Sequence, residues 1–285
     1  MRMATATLLL SCPDQKGLVA TMADWVYRHQ GNIVHADQHT DASEGVFFQR
    51  IEFELEGFDL DRTEILPALD PLVQRFSMRC DVRFSDERPR VAILVSKQAH
   101  CMYDLLARWR MGELDADIPL VVSNHADHAD VAAHFDVAFA HLPVAPETRI
   151  EQESAILALL AEHDIDLVVL ARYMQVLSSG FVAKYPSRII NIHHSFLPAF
   201  AGGRPYHQAH DRGVKLIGVT AHYATAELDE GPIIEQDVVR VSHRDSVEDL
   251  VRKGRDLEMI VLARAVRAHL AHRVLVYGRK TVVFD

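Results

Sequence analysis

Two short stretches carry side chains whose types and spacing suit acyl chemistry. One is Asn191-Ile192-His193-His194-Ser195-Phe196-Leu197-Pro198, which continues an apolar run from Arg188. The other is His222-Tyr223-Ala224-Thr225-Ala226-Glu227-Leu228-Asp229-Glu230-Gly231-Pro232. Attack by water or an amine on an amide carbonyl places negative charge on oxygen and requires a proton to move from the nucleophile to the leaving nitrogen. An amide side chain and an imidazole can donate to that oxyanion. A carboxylate can orient or charge the imidazole, or take the proton itself. Alternation along a strand sets Asn191 and His193 on one face with Ile192 on the other. Asp229, from a loop after a different strand, would complete the set. Read from the residues alone, these groups are either an Asn/His/Asp acyl site or polar residues capping strand ends.

The elements that must position them follow from hydrophobic periodicity. The polar segment Ser85-Asp86-Glu87-Arg88-Pro89-Arg90 precedes the apolar run Val91–Val95 and reads as a linker into a buried strand, which divides the chain into residues 1–86 and 87–285. The first part reads as strand, helix, strand, strand, helix, strand, a ferredoxin-like α+β arrangement. Thr5 to Ser11 begins it. Leu18, Met22, Trp25 and Val26 recur at helical spacing, and Gly31 is expected to cap that helix. Ile51, Phe53 and Leu55 alternate with Arg50, Glu52, Glu54 and Glu56, the pattern of a half-buried antiparallel strand. Asp61 is expected to cap a helix through Ile65, Leu69, Leu72 and Phe76. The second part alternates strands with helices, which predicts an α/β, doubly wound, mostly parallel sheet. A long final helix starts at Ser246, and its charge pairs read as a solvated face. Ligands of such sheets sit at the carboxyl ends of strands, where both polar stretches fall.

The first stretch resembles the signature of the folate-dependent formyltransferase fold, Asn-x-His-x-Ser-x-Leu-Pro, and Leu228-Asp229-Glu230-Gly231-Pro232-Ile233-Ile234 resembles that family's second motif. The resemblance implies that Asn191, His193 and Asp229 carry catalysis. Leu170-Ala171-Arg172-Tyr173-Met174-Gln175-Val176-Leu177 is similar to the segment lining the family's folate pocket. It implies folate contacts from Tyr173, Met174, Gln175, Val176 and Leu177, joined by Ala224, Thr225 and Leu228. For Met174 by itself, core packing is the alternative.

Cys12-Pro13-Asp14-Gln15-Lys16-Gly17-Leu18-Val19 and Gly31-Asn32-Ile33 resemble the strand-to-helix loop and helix-to-strand turn of ACT domains. That implies an amino-acid effector near Asp14, Gly17, Leu18, Gly31, Asn32 and Ile33, with glycine and methionine as family-based candidates. It also implies a homo-oligomer paired through sheet edges. An ACT domain ahead of a formyltransferase-type domain is the arrangement of the formyltetrahydrofolate deformylase family. The stretches Phe196-Leu197-Pro198-Ala199-Phe200 and Arg204-Pro205-Tyr206-His207-Gln208-Ala209 look like that family as well, so the resemblance spans nearly the whole chain.

The implied reaction is hydrolysis of 10-formyltetrahydrofolate, its substrate and not a cofactor, to formate and tetrahydrofolate for one-carbon and purine metabolism. Water would be oriented by Asp229 and His194, with Asn191 and protonated His193 at the oxyanion. His194 stands where related transferases carry proline or glycine, and either positions water or supports the site from behind. The alternative is formyl transfer to an amine such as glycinamide ribonucleotide. The loop Ser96-Lys97-Gln98-Ala99-His100 has no glycine, which disfavours cradling that acceptor's phosphate.

Composition narrows the field. The chain has 285 residues, 49% hydrophobic and 25% charged, with formal net charge -10, which disfavours a nucleic-acid partner. Three scattered cysteines predict neither a disulfide framework nor a zinc site and fit a reducing cytoplasm. No run reaches the roughly 20 apolar residues of a membrane span, and the run at Leu8-Leu9-Leu10 is too short for a signal peptide. No GxGxxG follows Val91–Val95, which disfavours a nicotinamide enzyme. Seventeen histidines invite a metal reading, but the cluster His125, His128 and Asp130 lacks a third well-placed ligand, so no metal is expected. A non-catalytic amino-acid sensor would leave the Asn/His/Asp set without a purpose.

Overall fold

A computed structural model describes residues 3–199 and 205–285; Phe200 and Arg204, quoted above, lie outside them. The chain divides into two compact units. The first comprises residues up to Arg88 together with His272–Tyr277 and Val282–Asp285; the second comprises Pro89–Ala271 with Gly278–Thr281.

In the first unit the order is β1 (Thr5–Pro13), α1 (Leu18–Arg28), β2 (Ile33–Asp41), β3 (Val46–Glu54), α2 (Ile65–Phe76) and β4 (Arg79–Phe84). The strands form one antiparallel sheet in the order β2-β3-β1-β4, the ferredoxin-like pattern. Leu8, Leu10, Ile51 and Phe53 meet Met22, Val26, Ile65 and Leu69 from the helices in one core.

Three expectations are corrected here. The residue that turns α1 into β2 in the left-handed conformation is Gln30, with φ 59. Gly31 serves close approach, because a Cβ there would lie 2.6 Å from Val26 Cγ1. Asp61 does not cap α2, which begins after Glu64; it opens the preceding turn by accepting from the Glu64 N–H at its carbonyl, 2.8 Å. Nor is β3 half-buried. Phe48 and Arg50 are covered because the C-terminal segment, assigned from sequence to the second part, packs with the first unit. Val282 and Phe284 join Leu9 and Phe48 in an apolar cluster, and Arg50 Nε donates to the His272 carbonyl at 3.1 Å. The physical reason is the second apolar face of β1 and β3, which would otherwise lie in water.

The second unit runs β5 (Arg90–Val95), α3 (His100–Arg110), β6 (Asp117–Ser123), α4 (Ala129–His134), β7 (Ala138–His141), α5 (Arg149–Glu162), β8 (Leu167–Leu170), α6 (Ser179–Val182), β9 (Ile189–His193), α7 (Pro205–Arg212), β10 (Leu216–Tyr223), β11 (Ile233–Arg240) and α8 (Val247–Leu270). A closing hairpin, β12 (Val274–Tyr277) and β13 (Lys280–Val283), follows. The sheet order is β11-β10-β9-β8-β5-β6-β7. Pairings from β9 through β7 are parallel, whereas β10 runs antiparallel to both β9 and β11. The Val, Leu and Ile runs of β5 and β8 are buried on both faces, as helix-covered parallel strands require. α8 starts where expected: Ser246 Oγ accepts from Asp249 N at 3.2 Å, and Asp249 Oδ2 from Ser246 N at 2.9 Å. Among the described residues no helix is long and apolar enough to cross a membrane.

Candidate active site

Asn191 and His193 share a face at the end of β9, as their alternation requires. Because β10 is antiparallel to β9, Asn191 pairs in register with His222 and His193 with Thr220. The chain leaving β10 must therefore fold back for Asp229 to reach β9. It does so where Gly231 packs on the Tyr223 carbonyl: a Cβ at Gly231 would sit 1.7 Å from that oxygen, so no side chain fits. Asp229 has φ 58, a left-handed conformation that aspartate tolerates better than most residues.

This fold-back assembles the polar set. His193 Nδ1 lies 3.2 Å from Asp229 Oδ1, and His222 Nε2 lies 3.8 Å from the same oxygen. His222 Nδ1 is 3.0 Å from the Tyr223 carbonyl, which can only accept, so Nδ1 carries the proton of the neutral ring. His222 Nε2 then accepts from Asn191 Nδ2 at 3.2 Å. The His193 hydrogen bond first, and then the nearby His222 ring, hold the Asp229 carboxyl far below the usual carboxylate range, against the opposing effect of its burial. With Nδ1 donating to this carboxylate, His193 presents Nε2 to the site. That nitrogen is buried and has no hydrogen-bond partner among the described residues. An imidazole so held can accept a proton at Nε2 and, once charged, donate it again.

A cavity of about 410 Å³ opens onto this set. Asn191, His193, His194 and Asp229 line it, and so do Tyr173, Met174, Gln175, Val176, Leu177, Ala224, Thr225 and Leu228. The residues that the resemblance marked for catalysis and folate contact in the second unit therefore line one cavity. Met174, Val176 and Leu228 are 58%, 50% and 63% exposed, a ring of apolar side chains at the mouth rather than core packing. Such an edge suits a flat heteroaromatic ligand. Ser96 Oγ accepts from the Met174 N–H at 3.0 Å and so ties the β8 loop to the end of β5. Burial, and then the charge of Arg172, push the His194 ring down to about 4, so at neutral pH it is an uncharged donor and acceptor.

The sequence reading missed three groups. His222 completes the site through the register of an antiparallel pair, and its position opposite Asn191 becomes visible once that pairing is known. Arg172, with φ 64, turns its guanidinium into the protein, where Nη2 donates to Gln98 Oε1 at 3.1 Å. Glu258 on α8, 1% exposed, accepts from His100 Nε2 at 2.7 Å and from the Tyr206 hydroxyl at 2.8 Å. Burial opposes its ionisation, but the His100 hydrogen bond and the Arg172 charge outweigh that and lower its pKa. His100, Cys101 and Glu258 bring donor atoms within 4.8 Å of one another. Burial, reinforced by Glu258, raises the Cys101 thiol well above its ordinary value, and the Glu258 oxygens already have donors, so the cluster works as a hydrogen-bonded knot. His128, weighed from sequence as a ligand, places Nε2 2.9 Å from the Ser96 carbonyl.

In the first unit the residues marked for an effector lie around α1 and β2. Gly17, φ 92, precedes α1, whose first residue Leu18 is buried. Asn32 Nδ2 donates to Glu54 Oε2 at 2.8 Å, Asp14 is exposed, and Ile33 packs against the core.

Comparison with known proteins fits this geometry. The formyl transferase family model matches residues 89–266. A formyltetrahydrofolate deformylase of Synechocystis sp. is 60% identical over 284 residues, spanning all of both chains. That of Bacillus subtilis is 46% identical over 98% of this chain and 93% of its own. The crystal structure of a formyltetrahydrofolate deformylase from Pseudomonas syringae superposes with a TM-score of 0.97 at 48% identity, covering 99% of this chain and 95% of that one. Glycinamide ribonucleotide transformylase 1 from Symbiobacterium toebii superposes at 0.67 with 33% identity, covering 72% of this chain and 98% of its own. With full-length identity, shared fold and a matching family model all in agreement, the chain belongs to the formyltetrahydrofolate deformylase family.

Proposed function

We propose that this protein hydrolyses 10-formyltetrahydrofolate to formate and tetrahydrofolate, with Asn191, His193 and Asp229 as its catalytic groups. The observation that carries the site assignment is the buried, unpartnered Nε2 of His193, held by Asp229 at the floor of an apolar-rimmed cavity. The pterin lies between Met174, Val176 and Leu228 at the mouth, and the formyl oxygen takes hydrogen bonds from Asn191 Nδ2. Water attacks the formyl carbon and passes its proton to His193 Nε2. The resulting imidazolium is stabilised by Asp229. It returns the proton to N10 as the C–N bond breaks, so formic acid and tetrahydrofolate are the balanced products, and the acid becomes formate by giving its remaining proton to solvent. Asp229 orients and charges His193 rather than acting as the base, because a carboxyl held so far below its ordinary pKa binds a proton poorly. His194, neutral beside the site, orients the water.

The first unit is read as an ACT-type regulatory unit binding an amino acid near Asp14, Gly17, Leu18, Gly31, Asn32 and Ile33, in a homo-oligomer. Its β2 and β4 are edge strands with backbone groups available for pairing. Three free cysteines suit a reducing cytoplasm. The deciding experiment is formate release from 10-formyltetrahydrofolate without any amine acceptor, repeated with single amino acids added. Steady release supports the hydrolase; no formate without an amine, and a formylated amine when one is added, would make the protein a transferase.

A further inference from the structure

A second cavity shares part of its wall with the one at the reaction centre. A chamber of about 200 Å³ has buried Arg172, Tyr206 and Glu258 in its walls and exposed Gln98, His207 and Arg255 at its rim. Arg172 and His194 line both this chamber and the catalytic cavity. None of the apolar residues at the folate-side mouth lines it. The two cavities thus adjoin at Arg172 and His194, the first wide with an apolar rim, the second small with Gln98, His207 and Arg255 at its rim.

The chamber is held open by fixed groups. Tyr206 is seated on α8 where Gly254 leaves room: a Cβ there would lie 2.1 Å from the Tyr206 hydroxyl oxygen. That hydroxyl and His100 take up both oxygens of Glu258. Arg172 Nε, 3.5 Å from Glu258 Oε2, is beyond a good hydrogen bond and is buried without a partner. At about 30 Å³ per water the chamber would take about seven waters. In a chain of net charge -10, two arginines here face one carboxylate. A small anion leaving Asp229 thus finds a cation with an unused donor.

We propose that this chamber is a separate passage for the two small reactants, admitting water to the formyl carbon and letting formate out past Arg172 and His194 while tetrahydrofolate still fills the wide cavity. The proposal rests on the hydrolytic reading above. It explains how a site stoppered by its folate exchanges water and product, and it makes Arg172 and Arg255 the groups that draw formate outward.

The test blocks the passage from its wall. Val251, half-buried on α8, lines the chamber and touches neither the catalytic set nor the folate cavity. Val251→Trp should lower kcat for acceptor-free formate release at least tenfold, with KM for 10-formyltetrahydrofolate and tetrahydrofolate affinity within about twofold of the parent. Unchanged kcat in the folded variant would overturn the passage. The parent enzyme supplies the second measurement. Product inhibition by formate against 10-formyltetrahydrofolate should be mixed, because formate can then enter the tetrahydrofolate complex, and Arg255→Glu should weaken it about fivefold. Competitive inhibition would mean that formate waits for tetrahydrofolate to leave, and would overturn the proposal even if Val251→Trp fails to fold. If the parent released no formate without an acceptor, the hydrolytic reading itself would fail, a result distinct from either of these.

Discussion

Both units bury polar side chains, but for opposite ends. In the first, Arg50 lies on the sheet face beneath the C-terminal segment, with Nε on the His272 carbonyl and Nη2 on Glu52 Oε2 at 2.9 Å. In the second, His193 Nε2, Arg172 Nε and Ser195 Oγ are buried without partners, and the first two belong to residues lining cavities. Gln49 Oε1 is unpaired in the first unit but lines neither of those cavities. A buried donor that is satisfied closes a fold. A buried donor that is unsatisfied costs about 1–3 kcal/mol, and where it faces a cavity the compensating partner is a ligand.

That contrast can be broken by mutation. His193→Ala should lower acceptor-free formate release about a thousandfold, within the range for a lost general acid–base, while tetrahydrofolate binding by fluorescence persists. Asp229→Asn should cost about a hundredfold, since the ring keeps its place but loses its charge partner; equal turnover in either variant would remove the assigned chemistry. Arg50→Ala should do the reverse. It should destabilise the fold by about 2 kcal/mol in urea titrations, leaving kcat per folded molecule unchanged, and a large kcat loss would erase the distinction between the units.

The smallest effect concerns two histidines, one in each unit. Burial first, then neighbouring arginine charge, lowers both His194 and His272 from 6.5 to about 4. Above pH 6.5 both are neutral in folded and unfolded chains. As pH falls from 6.5 towards 4, the unfolded chain binds protons that the folded one refuses, so stability declines over that window. The melting temperature should fall accordingly. His272→Asn, which tolerates the left-handed φ of 51, should flatten part of that decline without altering turnover at pH 7.5. A pH-independent melting curve for the parent would show that neither ring is buried neutral.

Much of this was legible in the linear chain where chemistry is local. Ser246, a cap residue ahead of a helically spaced apolar run, announced α8. The Val91–Val95 run announced a buried strand, and the spacing Asn191-x-His193 put two donors on one face whatever surrounds them. What escaped depends on partners distant in sequence. Arg50 and Glu52 look like the wet face of a strand until residues more than 200 positions later cover them. Glu258 looks like one more charge on a solvated helix face until His100, Tyr206 and Arg172 are brought to it.

The sequence by itself determined which polar groups share a strand face and which short elements hold them, because alternation, capping and loop punctuation act within a few residues. Tertiary structure alone decided that β10 runs against β9, so that His222 faces Asn191 and Asp229 must fold back to His193. It also decided that a second, smaller chamber shares Arg172 and His194 with the cavity around His193. Register and burial are properties of paired strands and packed faces, and no single segment carries them.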